Sequence, residues 1–211
     1  MHDDLFKEID DFALAFEANR QEEEQKRAIS ITRAKQKIFT RRANSEAHLA
    51  KILPQIKMGN SYHIISRGDV DAMTFLIRLL AYGPIEMLTL STGCMAMPDV
   101  NEIETALRTG MIGHCKFLLG EIFPNQYADE YLRVRQLEKS GNATVIVARN
   151  HSKVMIGSAP ERDWYFAIES SANVNTNPRI EQTAIHMDKQ LHDFYDVFFN
   201  DIKDIDKKSK Q

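Results

Sequence analysis

The chain has 211 residues, 43% of them hydrophobic and 27% charged, and a formal net charge of −3. These are ordinary values for a globular chain, and the length suffices to bury a core without disulfide or metal staples. They exclude a mostly disordered or collagen-like chain and leave no global basic field. Cys94 and Cys115 are too few for a disulfide framework and lack metal-ligand spacing, so a reducing cytoplasm is the simplest compartment. The start Met1-His2-Asp3-Asp4 is acidic where a secretory signal is basic. No stretch approaches ~18 uninterrupted apolar residues, so no membrane partner is expected.

In chain order, residues 1–25 are strongly acidic, and residues 26–42 carry Lys26, Arg27, Arg33, Lys35, Lys37, Arg41 and Arg42 with no acid. Leu5, Ile9, Phe12, Ala13 and Phe16 recur at helical spacing, so residues 1–58 read as a helical arm, acidic then basic. The arm is either a solvated hairpin packing on the main domain or a second subunit, or a basic face on phosphate backbone through Arg33, Lys35, Lys37, Arg41 and Arg42. A third short helix is expected from Ser45 to Leu53, stopped by Pro54.

From residue 60 strands and helices alternate. Tyr62–Ser66 reads as a strand, and Asp69 caps a helix through Leu80. Ile85–Leu90 is the next strand, followed by a helix from Pro98 to Leu107, a strand from Met111 to Leu119, a helix from Asn125 to Lys139 and a buried strand from Ala143 to Ala148. Residues 153–187 read as short mixed or antiparallel strands. Asp188 caps a last helix whose Leu191, Phe194, Tyr195, Phe198, Phe199 and Ile202 form its apolar side, and residues 203–211 are a polar tail. The expected class is α/β, with a mixed, largely parallel central sheet flanked by helices over 60–202.

The chemistry-bearing stretch is Arg149-Asn150-His151-Ser152-Lys153 between two apolar strand-like runs. In an extended chain His151 and Lys153 share a face while Ser152 points away. An imidazole beside a fixed ammonium suits attack on phosphate. Such a triplet alone is weak. A second stretch raises its weight: the strand-like run Trp164–Glu169 leads into Ser170-Ser171-Ala172-Asn173, which offers hydroxyl and amide donors at i and i+2. His114-Cys115 is a poor metal pair, because adjacent strand residues point apart. His63, His186 and His192 read as surface or half-buried.

Together these stretches resemble the phospholipase D superfamily, whose signature is His-x-Lys, an Asp five residues after the Lys, and then Gly-Ser-x-Asn. His151-Ser152-Lys153 and Ser171-Ala172-Asn173 match, while Ser158 stands at the Asp position and Ser170 at the Gly. Glu181 falls where small single-motif nucleases of the family carry an acid, and the resemblance implies that it pairs with the nucleophilic histidine. The resemblance covers about 60–202 and not the arm.

The resemblance further implies catalysis by His151, Lys153, Ser171, Asn173 and Glu181, with no metal and no cofactor. The family mechanism uses two histidines and this chain has one His-x-Lys, so a homodimer is implied, with the two copies of His151 acting as nucleophile and acid through a phosphohistidine intermediate. The expected function is a metal-independent phosphodiesterase, a nuclease acting on DNA. The alternatives are a catalytically impaired nucleic-acid-binding or assembly protein on the same scaffold, and a phospholipid hydrolase or transferase. The last is disfavoured by size, since lipid enzymes of the family carry two motifs in a longer chain.

Overall fold

A computed structural model describes residues 46–53, 55–67, 70–175 and 179–206, all within the compact unit Arg42–Gln211. The acidic and basic segments of the arm, with Arg33, Lys35, Lys37, Arg41 and Arg42, lie outside the described residues, as does the tail beyond 206.

A helix over 46–52 (α1) is followed by β1 (Ser61–Ser66), α2 (Ala72–Leu80), β2 (Ile85–Thr92), α3 (Met97–Arg108) and β3 (Ile112–Gly120). The short α4 (Phe123–Gln126), α5 (Ala128–Lys139), β4 (Ala143–Ala148), β5 (Val154–Ala159), β6 (Trp164–Ser170), β7 (Glu181–His186) and α6 (Lys189–Asn200) complete the order. The cap of α2 is Asp71 and not Asp69: its side chain accepts from the Thr74 amide at 2.9 Å and the Thr74 hydroxyl at 2.7 Å. The helix expected from Asn125 to Lys139 is divided at Tyr127, whose φ of −127° and ψ of 54° interrupt it. Asp188 caps α6 as expected, accepting from the amides of Gln190 and Leu191.

The strands form one mixed sheet in the order β1-β7-β6-β5-β2-β3-β4. Pairing is parallel for β2–β3 and β3–β4 and antiparallel for the other four neighbours. It follows that β1, β2, β3, β4 and β6 point one way, and β5 and β7 run against them. The sheet is therefore largely parallel in strand direction but mostly antiparallel in neighbour pairing. The alternation of strands and helices predicts direction. It does not reveal that two return strands, β5 and β7, insert between the others.

Helices cover both faces. Phe75, Leu76 and Leu79 of α2, Val100 and Ile103 of α3, and Val134 and Leu137 of α5 join Leu88, Leu90, Phe117, Val145, Phe166 and Ile168 in the larger core. Leu49, Leu53 and Ile56 are buried in that same core, which thus reaches back past residue 58. On the opposite face Leu118, Val154, Ile156 and Ala167 pack against Phe199 of α6. Every residue of β5 is buried, as a central strand covered on both faces requires. The outer edge of β4 is met by the segment after α6: Ile205 donates its amide to Val147 at 2.9 Å, and Asp204 accepts from the Val147 amide at 3.1 Å. Arg135 ties that segment down through Asp204 at 3.4 Å and Asp206 at 3.2 Å.

Phe194 and Phe198, among the apolar residues that the sequence places on the last helix, are 66% and 62% exposed. The contact face of α6 is instead built from His192, Tyr195 and Phe199, with Leu191 half-buried. Among the described residues no helix is long and apolar enough to cross a membrane.

Candidate active site

The register places the candidate residues at one end of the sheet. Val154, the first residue of β5, lies opposite Glu169 near the end of β6 and opposite Ser91 near the end of β2. Glu181, the first residue of β7, lies opposite Ser66, the last residue of β1. His151, Lys153, Ser171, Asn173 and Glu181 therefore gather where the five like-directed strands end, the usual place for a site on an open α/β sheet.

His151 and Lys153 do not lie within a strand, as the sequence reading supposed; they occupy the loop that enters β5. The shared face survives. Lys153 Nζ sits 3.4 Å from His151 Nδ1 and donates to the His151 carbonyl at 2.9 Å. An ammonium only donates, so Nδ1 is the acceptor in this contact. Ser152 points the other way, its Oγ 2.5 Å from Ser91 Oγ.

The second stretch is bound to the first by the backbone: Ser170 donates its amide to the Lys153 carbonyl at 3.0 Å. Ser170 stands where the family carries glycine, and its hydroxyl is used locally, bonding Thr183 Oγ1 at 2.9 Å and accepting from the Ala172 amide at 3.1 Å. Ser171 donates to the Glu181 carboxylate and accepts from the Gln182 amide at 3.0 Å. The structure thus joins Glu181 to Ser171. Asn173 is anchored on the end of β2, where its Oδ1 accepts from the Gly93 amide at 3.1 Å. A backbone N–H settles which end of the amide faces it, so the Nδ2 donors are turned away from this contact. The Val174 amide then bonds Thr92 Oγ1 at 3.2 Å, and Thr92 donates to the Cys94 carbonyl at 2.7 Å.

Ser158, at the position of the family's Asp, lies five residues along β5 from Lys153. It is 7% exposed and sits between Met87 and Tyr165, toward the opposite end of the strand from His151. The departure from the motif is a change in the sheet interior.

Several residues at the site escaped sequence reasoning. Ser91, Thr92 and Gly93 form the floor, and the signal for them is a polar pair followed by glycine at the end of an apolar strand. Asn150 anchors the loop from below. Burial pushes the Cys94 thiol up, and Tyr127 and the Lys153 charge offset only part of that. His114 belongs elsewhere, bonded to Thr144 Oγ1 at 2.9 Å, while Cys115 is buried in the core.

The sequence matches no protein-family model and no curated protein. Solved structures do match. TrmBL2, an archaeal chromatin protein whose structure shows a novel mode of DNA binding, superposes with a TM-score of 0.50 at 12% identity, over 89% of this chain and 67% of that one. Polyphosphate kinase from Porphyromonas gingivalis superposes with a TM-score of 0.53 at 17% identity, over 71% of this chain. This chain spans only 28% of the kinase. The chain shares the fold of these two structures, a mixed α/β sheet flanked by helices, as the resemblance of its motifs implies.

Proposed function

We propose that the protein is a metal-independent phosphodiesterase acting on nucleic acid, and that it works as a homodimer. The observation that carries this reading is the contact of Lys153 with His151, in a loop whose carbonyl is bonded to the Ser170 amide at the head of the Ser-x-Asn stretch.

When a phosphodiester binds, the Lys153 ammonium transfers its hydrogen bonds to the non-bridging oxygens. Nδ1 of His151 is then free to carry the ring proton, and Nε2 attacks phosphorus. The N–P bond forms as the bond from phosphorus to the leaving oxygen breaks, and His151 of the second copy protonates that oxygen. The same ring then takes a proton from water, which attacks phosphorus and releases the first histidine. Nδ2 of Asn173 and the Lys153 ammonium hold the charge that develops on the phosphoryl oxygens. Glu181 acts by orienting Ser171.

The test is incubation of wild type and His151→Ala with plasmid and single-stranded DNA in excess EDTA. Cleavage by the wild type alone, with a ³²P label trapped on histidine, is expected. Cleavage that persists in the variant overturns the reading. A second reading is a nucleic-acid-binding scaffold without hydrolysis. It draws on the likeness to the chromatin protein over 89% of this chain and on Ser158. Salt-sensitive DNA binding with no cleavage by wild type selects it.

A further inference from the structure

The amide of Asn150 sits beneath the motif loop and uses its full hydrogen-bonding capacity. Nδ2 donates to Ser91 Oγ at 3.0 Å and to the Leu118 carbonyl at 3.0 Å. Oδ1 accepts from the Ser152 amide at 3.0 Å and from Ser152 Oγ at 2.7 Å. A primary amide has two donors and room for two acceptor bonds, and all four are made. Because the Ser152 hydroxyl spends its one proton on Oδ1, the 2.5 Å contact between Ser91 Oγ and Ser152 Oγ requires Ser91 to donate. The donors then run in a closed circle, from Asn150 to Ser91 to Ser152 and back to Asn150. Such rings strengthen each member.

With the bond to Leu118, the ring ties together three pieces of chain: β2 near its end at Ser91, β3 near its end at Leu118, and the motif loop. It grips Ser152, the residue between His151 and Lys153, and draws it to the sheet side. Its two neighbours must then project together to the other side. The backbone is held equally closely, since a Cβ added at Gly120 would lie 3.0 Å from the Asn150 carbonyl oxygen. The loop cannot roll without breaking several bonds at once.

We infer that Asn150 is a positioning residue for the phosphodiesterase reaction, acting with Ser91 and Ser152 to fix the relative placement of the His151 ring and the Lys153 ammonium. The inference rests on the proposed function for its kinetic consequence but not for its geometric one, and the two are tested separately.

In the kinetic arm, Asn150→Ala lowers kcat by about 10²-fold, the scale of a displacement of about 1 Å in a reacting group, with KM changed much less. Ser152→Ala acts in the same direction. The double variant loses little beyond Asn150→Ala, because residues that act as one network are not additive. In the spectroscopic arm, the His151 ring resonance is assigned by comparison with His151→Ala and followed through a pH titration in the full chain. It is expected to move in Asn150→Ala and in Ser152→Ala, while the other six histidines hold their positions. A wild type that cleaves nothing refutes the functional reading and leaves this arm to decide the positioning role. If Asn150→Ala does not fold, Ser152→Ala decides. His151 resonances that superpose on wild type across the titration in every variant that folds overturn the inference.

Discussion

Asn173 has two duties that different substitutions separate. Its Oδ1 receives the Gly93 amide at 3.1 Å, and in the proposed reaction its Nδ2 supplies donors for the phosphoryl charge. Asn173→Ala removes both. A donor left without a partner costs about 1–3 kcal/mol; Gly93 is half-buried, which puts the loss near the lower end, about 1 kcal/mol. Loss of one donor aimed at developing negative charge costs roughly 10²–10³ in rate, or about 2.7–4 kcal/mol of barrier. Asn173→Asp keeps an acceptor for Gly93 but replaces the donors with a negative oxygen. It is therefore expected to be more stable than Asn173→Ala and less active. Urea unfolding at constant slope reads the first quantity, and single-turnover cleavage at saturating substrate reads the second. An Asn173→Asp protein with wild-type turnover, or an Asn173→Ala protein as stable as wild type, would refute the division of roles.

Other expectations concern the scaffold and the arm. Gly157 faces Phe166 across β5 and β6, and a Cβ added there would sit 2.5 Å from Cε1 of that fully buried ring. Gly157→Ala should therefore cost about 3 kcal/mol, the upper part of the range for overpacking, and an unchanged melting temperature would contradict the packing described. Burial and the Glu169 carboxylate raise the Tyr195 hydroxyl from 10.0 to about 12. The folded state thus retains a proton that the unfolded chain releases, so stability is full below pH 10 and falls as pH rises toward 12. Tyr195→Phe should flatten that limb in alkaline denaturation curves. Neutralising Arg41 and Arg42 should weaken DNA binding and reduce the slope of log K against log salt by about 0.9 per lost phosphate contact; an unchanged slope would remove the basic stretch from the interface.

What could be read from the sequence depended on how local the cause was. Ala143–Ala148 is a strand with the expected bounds because six uncharged residues, five apolar and four β-branched, between a Gly-Asn turn and Arg149 admit little else. Asp188 announces α6 because a cap acts within three residues. The exposure of Phe194 and Phe198 is not legible in the sequence, because the apolar stripe of α6 is wider than the face that touches the sheet. The pairing of β1 with β7 joins Ser61 to His186, and no periodicity in either segment names its partner. The same distinction holds at the site. His151, Lys153, Ser171 and Asn173 stand out because short spacings near strand ends bring donors together. Asn150 does not, since its partners Ser91 and Leu118 are 59 and 32 residues away in sequence.

The segment over 204–206, laid along β4 by Ile205 and Asp204 and held by Arg135, also bears on solubility. The strand it covers reads Ala-Thr-Val-Ile-Val-Ala, uncharged, free of glycine and proline, and rich in residues that favour cross-β stacking. An exposed edge of that composition is a template for another chain. Residues 204–206 are thus a built-in gatekeeper, and a protein cut after Asn200 would keep its sheet and its site while presenting an adhesive edge, with aggregation rising steeply with concentration as the first symptom.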